Sequence, residues 1–158
     1  MIEYQAAVIE NVCAWPNLTA LPDGTIAATI FNQPAHGSLP GDVDCWTTGD
    51  QGKTWQKRGT AAPRPLANAN RMNVTAGLAT NGDFIVIASG YGRIGEQASA
   101  AERVLPAVEC RSADGGDTWT TSDEFPMAPE GRTFIPFGDI MAGADGALRV
   151  TCYTAWDL

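Results

Sequence analysis

Two eight-residue segments, Thr48-Gly49-Asp50-Gln51-Gly52-Lys53-Thr54-Trp55 and Ser112-Ala113-Asp114-Gly115-Gly116-Asp117-Thr118-Trp119, share the pattern S/T-x-D-x-G-x-T-W. Their starts lie 64 residues apart (112 − 48), and each is flanked by short stretches of alternating apolar and polar residues. An internal repeat of this length belongs to an architecture built from stacked units rather than to one irregular fold. The pattern has a physical logic as a tight turn. The Asp carboxylate accepts backbone N–H groups, the Gly supplies a positive φ, and the Thr and Trp lead into the next strand. The Trp then has a large apolar area to bury between sheets.

A second set of signals runs in step with the first. Asp23-Gly24, Asn81-Gly82 and Asp145-Gly146 each join two apolar strand-like runs and mark one hairpin per repeat. Reading outward, the first unit has strands near Asn17 to Leu21, Thr25 to Phe31, Asp42 to Thr47 and Thr54 to Arg58. The second repeats the order near Met72 to Ala79, Asp83 to Ser89, Ala107 to Arg111 and Thr118 to Ser122. A third opens with Phe134 to Ala142 and Ala147 to Tyr153, and Leu158 is reached before a third strand or turn of the repeat appears. Gly95 to Val104 is the best candidate for a helical turn and reads as a loop; Ala61 to Pro65 and Phe125 to Pro129 read as connectors, where Pro costs no ladder bond.

The repeated segment resembles the Asp-box, or BNR repeat, of the sialidase-like superfamily. The resemblance implies an all-β chain, a β-propeller of sialidase type with about two and a half four-stranded antiparallel blades present. Its divisions are 4–12 as an outer closing strand, 14–62 as the first blade, 68–128 as the second and 132–158 as half of the third. Such propellers close with more blades than this, so the chain is expected to be an N-terminal piece of a longer protein or to complete its ring by self-association. The resemblance makes the Asp-box residues structural: Thr48, Asp50, Gly52, Thr54 and Trp55 in one copy, Ser112, Asp114, Gly116, Thr118 and Trp119 in the other.

Propeller sites sit at the end of the channel where each innermost strand begins. Here those openings are Cys13-Ala14-Trp15-Pro16, Asn70-Arg71-Met72-Asn73 and Gly131-Arg132-Thr133-Phe134. A guanidinium binds a carboxylate bidentately and stays charged at working pH, so Arg71 and Arg132 are the substrate-binding candidates, against pairing with local acids such as Asp139 or Glu130. Where sialidases carry an Arg-Ile-Pro type motif this chain has Ala14-Trp15-Pro16, so one Arg of the family's cluster is absent. The loop between the second and third strands supplies Asp42 and His36 as acid/base candidates, and the equivalent loop of the second unit supplies Tyr91 as a ring for sugar stacking. The nucleophilic Tyr and its Glu are expected in later blades. The resemblance thus implies a glycoside hydrolase acting on terminal sugars; the alternative is a non-catalytic propeller that binds carbohydrate or protein.

Composition narrows the partners. Ten Lys and Arg against eighteen Asp and Glu give a net charge of −8, which disfavours nucleic acid and anionic lipid surfaces. No apolar run approaches a membrane span, and Met1-Ile2-Glu3-Tyr4 shows neither a basic nor an apolar leader. The chain is expected in the cytoplasm if Met1 is the natural start, and in the periplasm or outside the cell if a signal has been removed. Cys13, Cys45, Cys110 and Cys152 are irregularly spaced beside a single His, so they read as buried free thiols; no metal and no cofactor is expected. The partner expected is a glycan or small sugar.

Overall fold

The computed structural model describes residues 7–93 and 103–154 of the 158-residue chain. Four strands, β1 (Cys13–Ala20), β2 (Ile26–Phe31), β3 (Val43–Thr48) and β4 (Gln56–Ala62), pair antiparallel in chain order. The next four, β5 (Asn73–Leu78), β6 (Phe84–Tyr91), β7 (Val104–Ser112) and β8 (Thr120–Ser122), repeat that meander. A 3-10 turn at Pro129–Gly131 precedes β9 (Phe134–Ala142) and β10 (Leu148–Thr154), the first half of a third blade. The chain is therefore all-β, a β-propeller of sialidase type with about two and a half four-stranded blades. Of the segment expected to close the ring, residues 4–6 lie outside the described residues and 7–12 carry no strand. The loop read as Gly95 to Val104 lies outside them as far as residue 102; Val104 opens β7.

The hairpins form as their turn chemistry requires. Asp23, Asn81 and Asp145 each accept the amide two residues on through a side-chain oxygen, at 2.9, 3.2 and 3.1 Å, and the following glycines take φ of 78–88°. Strands β4 and β8 begin later than their sequence predicts. The amides of Thr54 and Thr118 donate to the Asp50 and Asp114 carboxylates, so they cannot enter a ladder, and pairing starts at Gln56 and Thr120.

The innermost strands meet at the axis. Asn17, Thr75 and Asp139 stand at one repeat position, each seven residues before its hairpin glycine (24 − 17, 82 − 75, 146 − 139). Asn17 Nδ2 donates to Gly138 O at 2.6 Å and to Asp139 Oδ1 at 3.1 Å, and Thr75 Oγ1 donates to Gly138 O at 2.7 Å. β5 and β9 run parallel through the Ala76–Asp139 bridge. They approach so closely that a Cβ at Gly77 would overlap the Ile140 carbonyl.

Each inter-blade layer is built from apolar side chains. Ala27, Val43, Cys45, Ala61 and Ala62 of the first blade pack on Val74, Ala76, Phe84, Val86 and Val108 of the second. The opposite face of β6, Ile85 and Ile87, packs with Ala107 against Ile140, Leu148 and Val150. With both faces covered, β6 reads as a continuous apolar run instead of alternating. The Ser112–Trp119 turn seals the first layer from outside. The Trp119 ring lies 5.3 Å from that of Phe84, Arg58 pairs with Asp117 at 2.7 Å, and Gly116 sits over Cys45, where a Cβ would come within 2.7 Å of its Sγ. Cys45 and Cys110 are free thiols buried in this layer, whereas Cys13 and Cys152 are half-buried, a departure from four buried thiols. Burial pushes the Cys45 thiol up to about 12.

Candidate functional site

In an antiparallel meander the β1–β2 and β3–β4 turns fall at one end of a blade and the start of β1 and the β2–β3 loop at the other. The S/T-x-D-x-G-x-T-W turns are thus remote from the strand openings. Both form the same cage. Asp50 accepts from Thr48 Oγ1 (2.8 Å), Thr54 N (2.9 Å) and Thr54 Oγ1 (2.7 Å), while Gly52 N donates to Thr48 Oγ1 and Trp55 Nε1 to Gly52 O. Asp114 accepts from Ser112 Oγ (2.7 Å), Thr118 N (2.9 Å), Thr118 Oγ1 (2.5 Å) and Asp117 N (3.1 Å), with Gly116 N donating to Ser112 Oγ and Trp119 Nε1 to Gly116 O. The Thr54 amide and hydroxyl hold the Asp50 carboxyl down at about 2, and the Thr118 hydroxyl and amide hold Asp114 lower still. Each carboxylate thus accepts at least three hydrogen bonds from within its own turn.

At the opposite end a cavity of about 220 Å³ opens beside the axis, lined by Trp15, Asn73, Val74, Pro136, Phe137 and Tyr153. Its first wall depends on a strained bulge. The β1–β2 register shifts between Cys13 and Asn17, and Ala14 and Trp15 take φ of 58° and 38°. Left-handed backbone is costly for residues with a Cβ, and a bulge of this kind re-aims a side chain. The consequence is a Trp15 ring that is 54% exposed instead of lying in the core. His36, from the β2–β3 loop, meets it edge-on at 5.0 Å and 77°. On the other side Phe137 of β9 and Tyr153 of β10 pack ring to ring at 5.8 Å. Burial, and after it the nearby Tyr91, push the Tyr153 phenol up. Asn73 holds the floor, its Nδ2 donating to Ser89 Oγ at 3.3 Å.

Of the residues picked out from sequence, His36 packs on Trp15 of the cavity wall and Tyr91 acts electrostatically on Tyr153, though neither is itself among the lining residues. Tyr91 is fixed through its backbone, whose amide donates to Asn70 Oδ1 at 2.8 Å. Asp42 is engaged elsewhere: Oδ1 accepts the Arg64 amide at 2.7 Å and Oδ2 pairs with Arg64 Nη1 at 2.6 Å. Arg71 is buried beneath the blade, with Nη1 donating to Pro106 O at 2.5 Å and Ala88 O at 3.4 Å. Arg132 is half-buried two residues before β9, its carbonyl accepting Ala128 N at 2.9 Å. Neither Arg is among the residues lining the cavity. Phe137 and Tyr153 escaped sequence reasoning. The available signal was two aromatics in the two strands of the third unit's hairpin, both exposed there.

No family model and no curated protein sequence matches the chain. Solved structures do match. A crystal structure of a protein of unknown function from Dyadobacter fermentans superposes with a TM-score of 0.72 at 15% identity, over 89% of this chain and 46% of that one. The Hadza microbial sialidase Hz136 gives 0.65 at 17% identity, over 84% and 30%. The fructofuranosidase from Schwanniomyces occidentalis, solved with fructose bound, gives 0.65 at 14% identity, over 92% and 30%. The chain spans less than half the length of each of these proteins. At such identities the likeness establishes the fold, a sialidase-like propeller shared with glycosidases.

Proposed function

We propose that this chain is the sugar-holding part of a sialidase-like propeller that acts on the terminal sugar of a glycan. The observation that carries the reading is the aromatic cavity at the opening of the innermost strands. A pyranose presents an apolar C–H face and a polar rim, which suits rings such as Trp15 and Tyr153 backed by the Asn73 amide. At about 220 Å³ the cavity is smaller than the roughly 300–1,000 Å³ of sites for drug-sized ligands, which favours one sugar ring over an extended chain. In the hydrolase reading His36, packed against Trp15, is the proton donor, Tyr91 reaches the sugar from beyond the cavity wall, and the remaining acid and nucleophile come from blades beyond those described.

The second reading, a non-catalytic carbohydrate-binding propeller, is favoured by two observations: Asp42 is tied to Arg64 on both oxygens, and Ala14 stands where the family's Arg is expected. Assayed on the propeller with those further blades in place, a panel of terminal glycosides separates them. Release of sugar, lost in His36→Ala, supports hydrolysis; binding without turnover supports the second reading; neither binding nor turnover contradicts both.

A further inference from the structure

Asn70 lies in the connector between β4 and β5 and is fully buried, 0% exposed. Its carboxamide makes two hydrogen bonds, one to each of two blades. Nδ2 donates to Ser38 O of the first blade's β2–β3 loop at 3.0 Å, and Oδ1 accepts the amide of Tyr91, the last residue of β6, at 2.8 Å. The partners settle which end of the carboxamide is which, since a backbone carbonyl takes only a donor and a backbone amide only an acceptor. The main chain follows the same path. Asn70 bridges Gly41 in parallel, Ala69 bridges Gly92 antiparallel, and Asn70 N donates to Tyr91 O at 2.8 Å. The fit is close: a Cβ at Gly90 would overlap the Asn70 carbonyl.

Ser38 closes the turn that carries His36. Its amide donates to Ala35 O at 3.2 Å, with His36 and Gly37 at the two corners and Gly37 at φ of 75°, the positive φ that the second corner of a type II turn requires. Among the described residues the Asn70 carboxamide supplies the one hydrogen bond that reaches this turn from outside its loop. From the turn the His36 ring meets that of Trp15 at 5.0 Å, while Tyr91, at the other end of the carboxamide, acts on Tyr153. Trp15 and Tyr153 both line the channel-mouth cavity. One buried side chain thus ties together His36 and Tyr91, which come from neighbouring blades.

We propose that Asn70 is a positioning residue of the channel mouth: it sets the His36 turn against Trp15 and holds the end of β6 that carries Tyr91, so that loops of two blades present one site. The role rests on the reading of this mouth as a sugar site and names what shapes it. A short carboxamide is what the two partners require. A carboxylate keeps an acceptor for the Tyr91 amide but offers Ser38 O no proton, leaving a buried carbonyl unpaired against a negative charge. A leucine serves neither partner.

Proton NMR of the full chain tests this, because His36 is the only histidine and its ring signals need no assignment. In the unaltered chain they are expected away from free-histidine positions, shifted by the Trp15 ring, and Trp15→Ala removes that shift. Asn70→Asp is expected to remove it equally while the Tyr91 amide signal keeps its place; Asn70→Leu displaces both. A purely structural Asn70 would not separate the two loops in this way. Asn70→Leu also weakens binding of the best-bound monosaccharide about tenfold, as misplaced contacts do. Thermal melting accompanies both variants. If neither folds, hydrogen exchange in the unaltered chain decides: the Asn70 carboxamide protons are expected to exchange about a hundredfold slower than those of exposed Asn11 and to share one opening rate with the Tyr91 amide. A His36 signal that Asn70→Asp leaves in place overturns the proposal. So does a Tyr91 amide displaced as far by Asn70→Asp as by Asn70→Leu, a sugar affinity unchanged in Asn70→Leu, or Asn70 carboxamide exchange as fast as that of Asn11. The spectra are taken without sugar, so a chain that binds no sugar contradicts the sugar reading and leaves the positioning result standing.

Discussion

Replacing Trp119 by Ala separates what the turn sequence does from what its surroundings do. Trp119 and Trp55 occupy the same position of the repeat, and each indole donates to the glycine carbonyl three residues back, at 2.9 and 3.1 Å. Their neighbours differ. Trp119 packs on the layer between the first two blades and tilts against Phe84 at 5.3 Å, whereas Trp55 belongs to neither apolar cluster. Truncating a core Trp costs about 3–5 kcal/mol, and the partial exposure of Trp119 places it at the low end, about 3 kcal/mol. For a domain of this size each kcal/mol moves Tm by about 2–4 °C, so Trp119→Ala is expected to lower it by about 6–12 °C. Trp55→Ala gives up mainly one indole hydrogen bond, about 1 kcal/mol, and about 2–4 °C. Differential scanning calorimetry on the two variants checks this. Equal shifts would refute the claim that the second turn seals an inter-blade layer and the first does not.

Other consequences are accessible to simple measurements. Asp50 and Asp114 are more acidic folded than unfolded, so their stabilisation is complete above the unfolded value of about 3.9 and drains away as pH falls toward and through the folded values. Between about pH 4 and pH 2 the loss of Tm should be shallower in Asp50→Asn than in the unaltered chain. Gly77→Ala forces β9 away from β5 at Ile140 and is expected to cost about 1–3 kcal/mol, read from the urea midpoint. Asp42→Asn loosens the Arg64 pairing and should lower stability by about 1 kcal/mol. Its sugar affinity should be unchanged, because Asp42 does not line the channel-mouth cavity.

The repeated turns and the D/N-G hairpins made the blade order legible, because both signals arise from interactions within a few residues. Asp114 and Thr118 meet through bonds spanning four positions, and Asp23 reaches Thr25 across two. The strands near Thr25 to Phe31 and Phe134 to Ala142 were legible for the same reason. What escaped depends on distant parts of the chain. Trp15 faces the cavity because of a bulge against β2, and nothing in Ala14-Trp15-Pro16 announces a left-handed φ. Arg71 opens an innermost strand as its position suggests, yet its guanidinium runs to the Pro106 carbonyl, 35 residues away in sequence. The aromatic wall joins residues of the first and third units, 138 positions apart (153 − 15).

The most direct test of the central claim is the affinity of the chain for the best-bound monosaccharide of a terminal-sugar panel, measured by calorimetry for the unaltered chain and for Trp15→Ala. Trp15 is exposed and holds no part of the inter-blade layers, so its removal leaves the fold intact. The account predicts saturable binding that falls at least tenfold in the variant, with Tm unchanged within a few degrees. Equal affinity in the two proteins, or no binding of any sugar, would contradict the placement of a sugar site at the opening of the innermost strands.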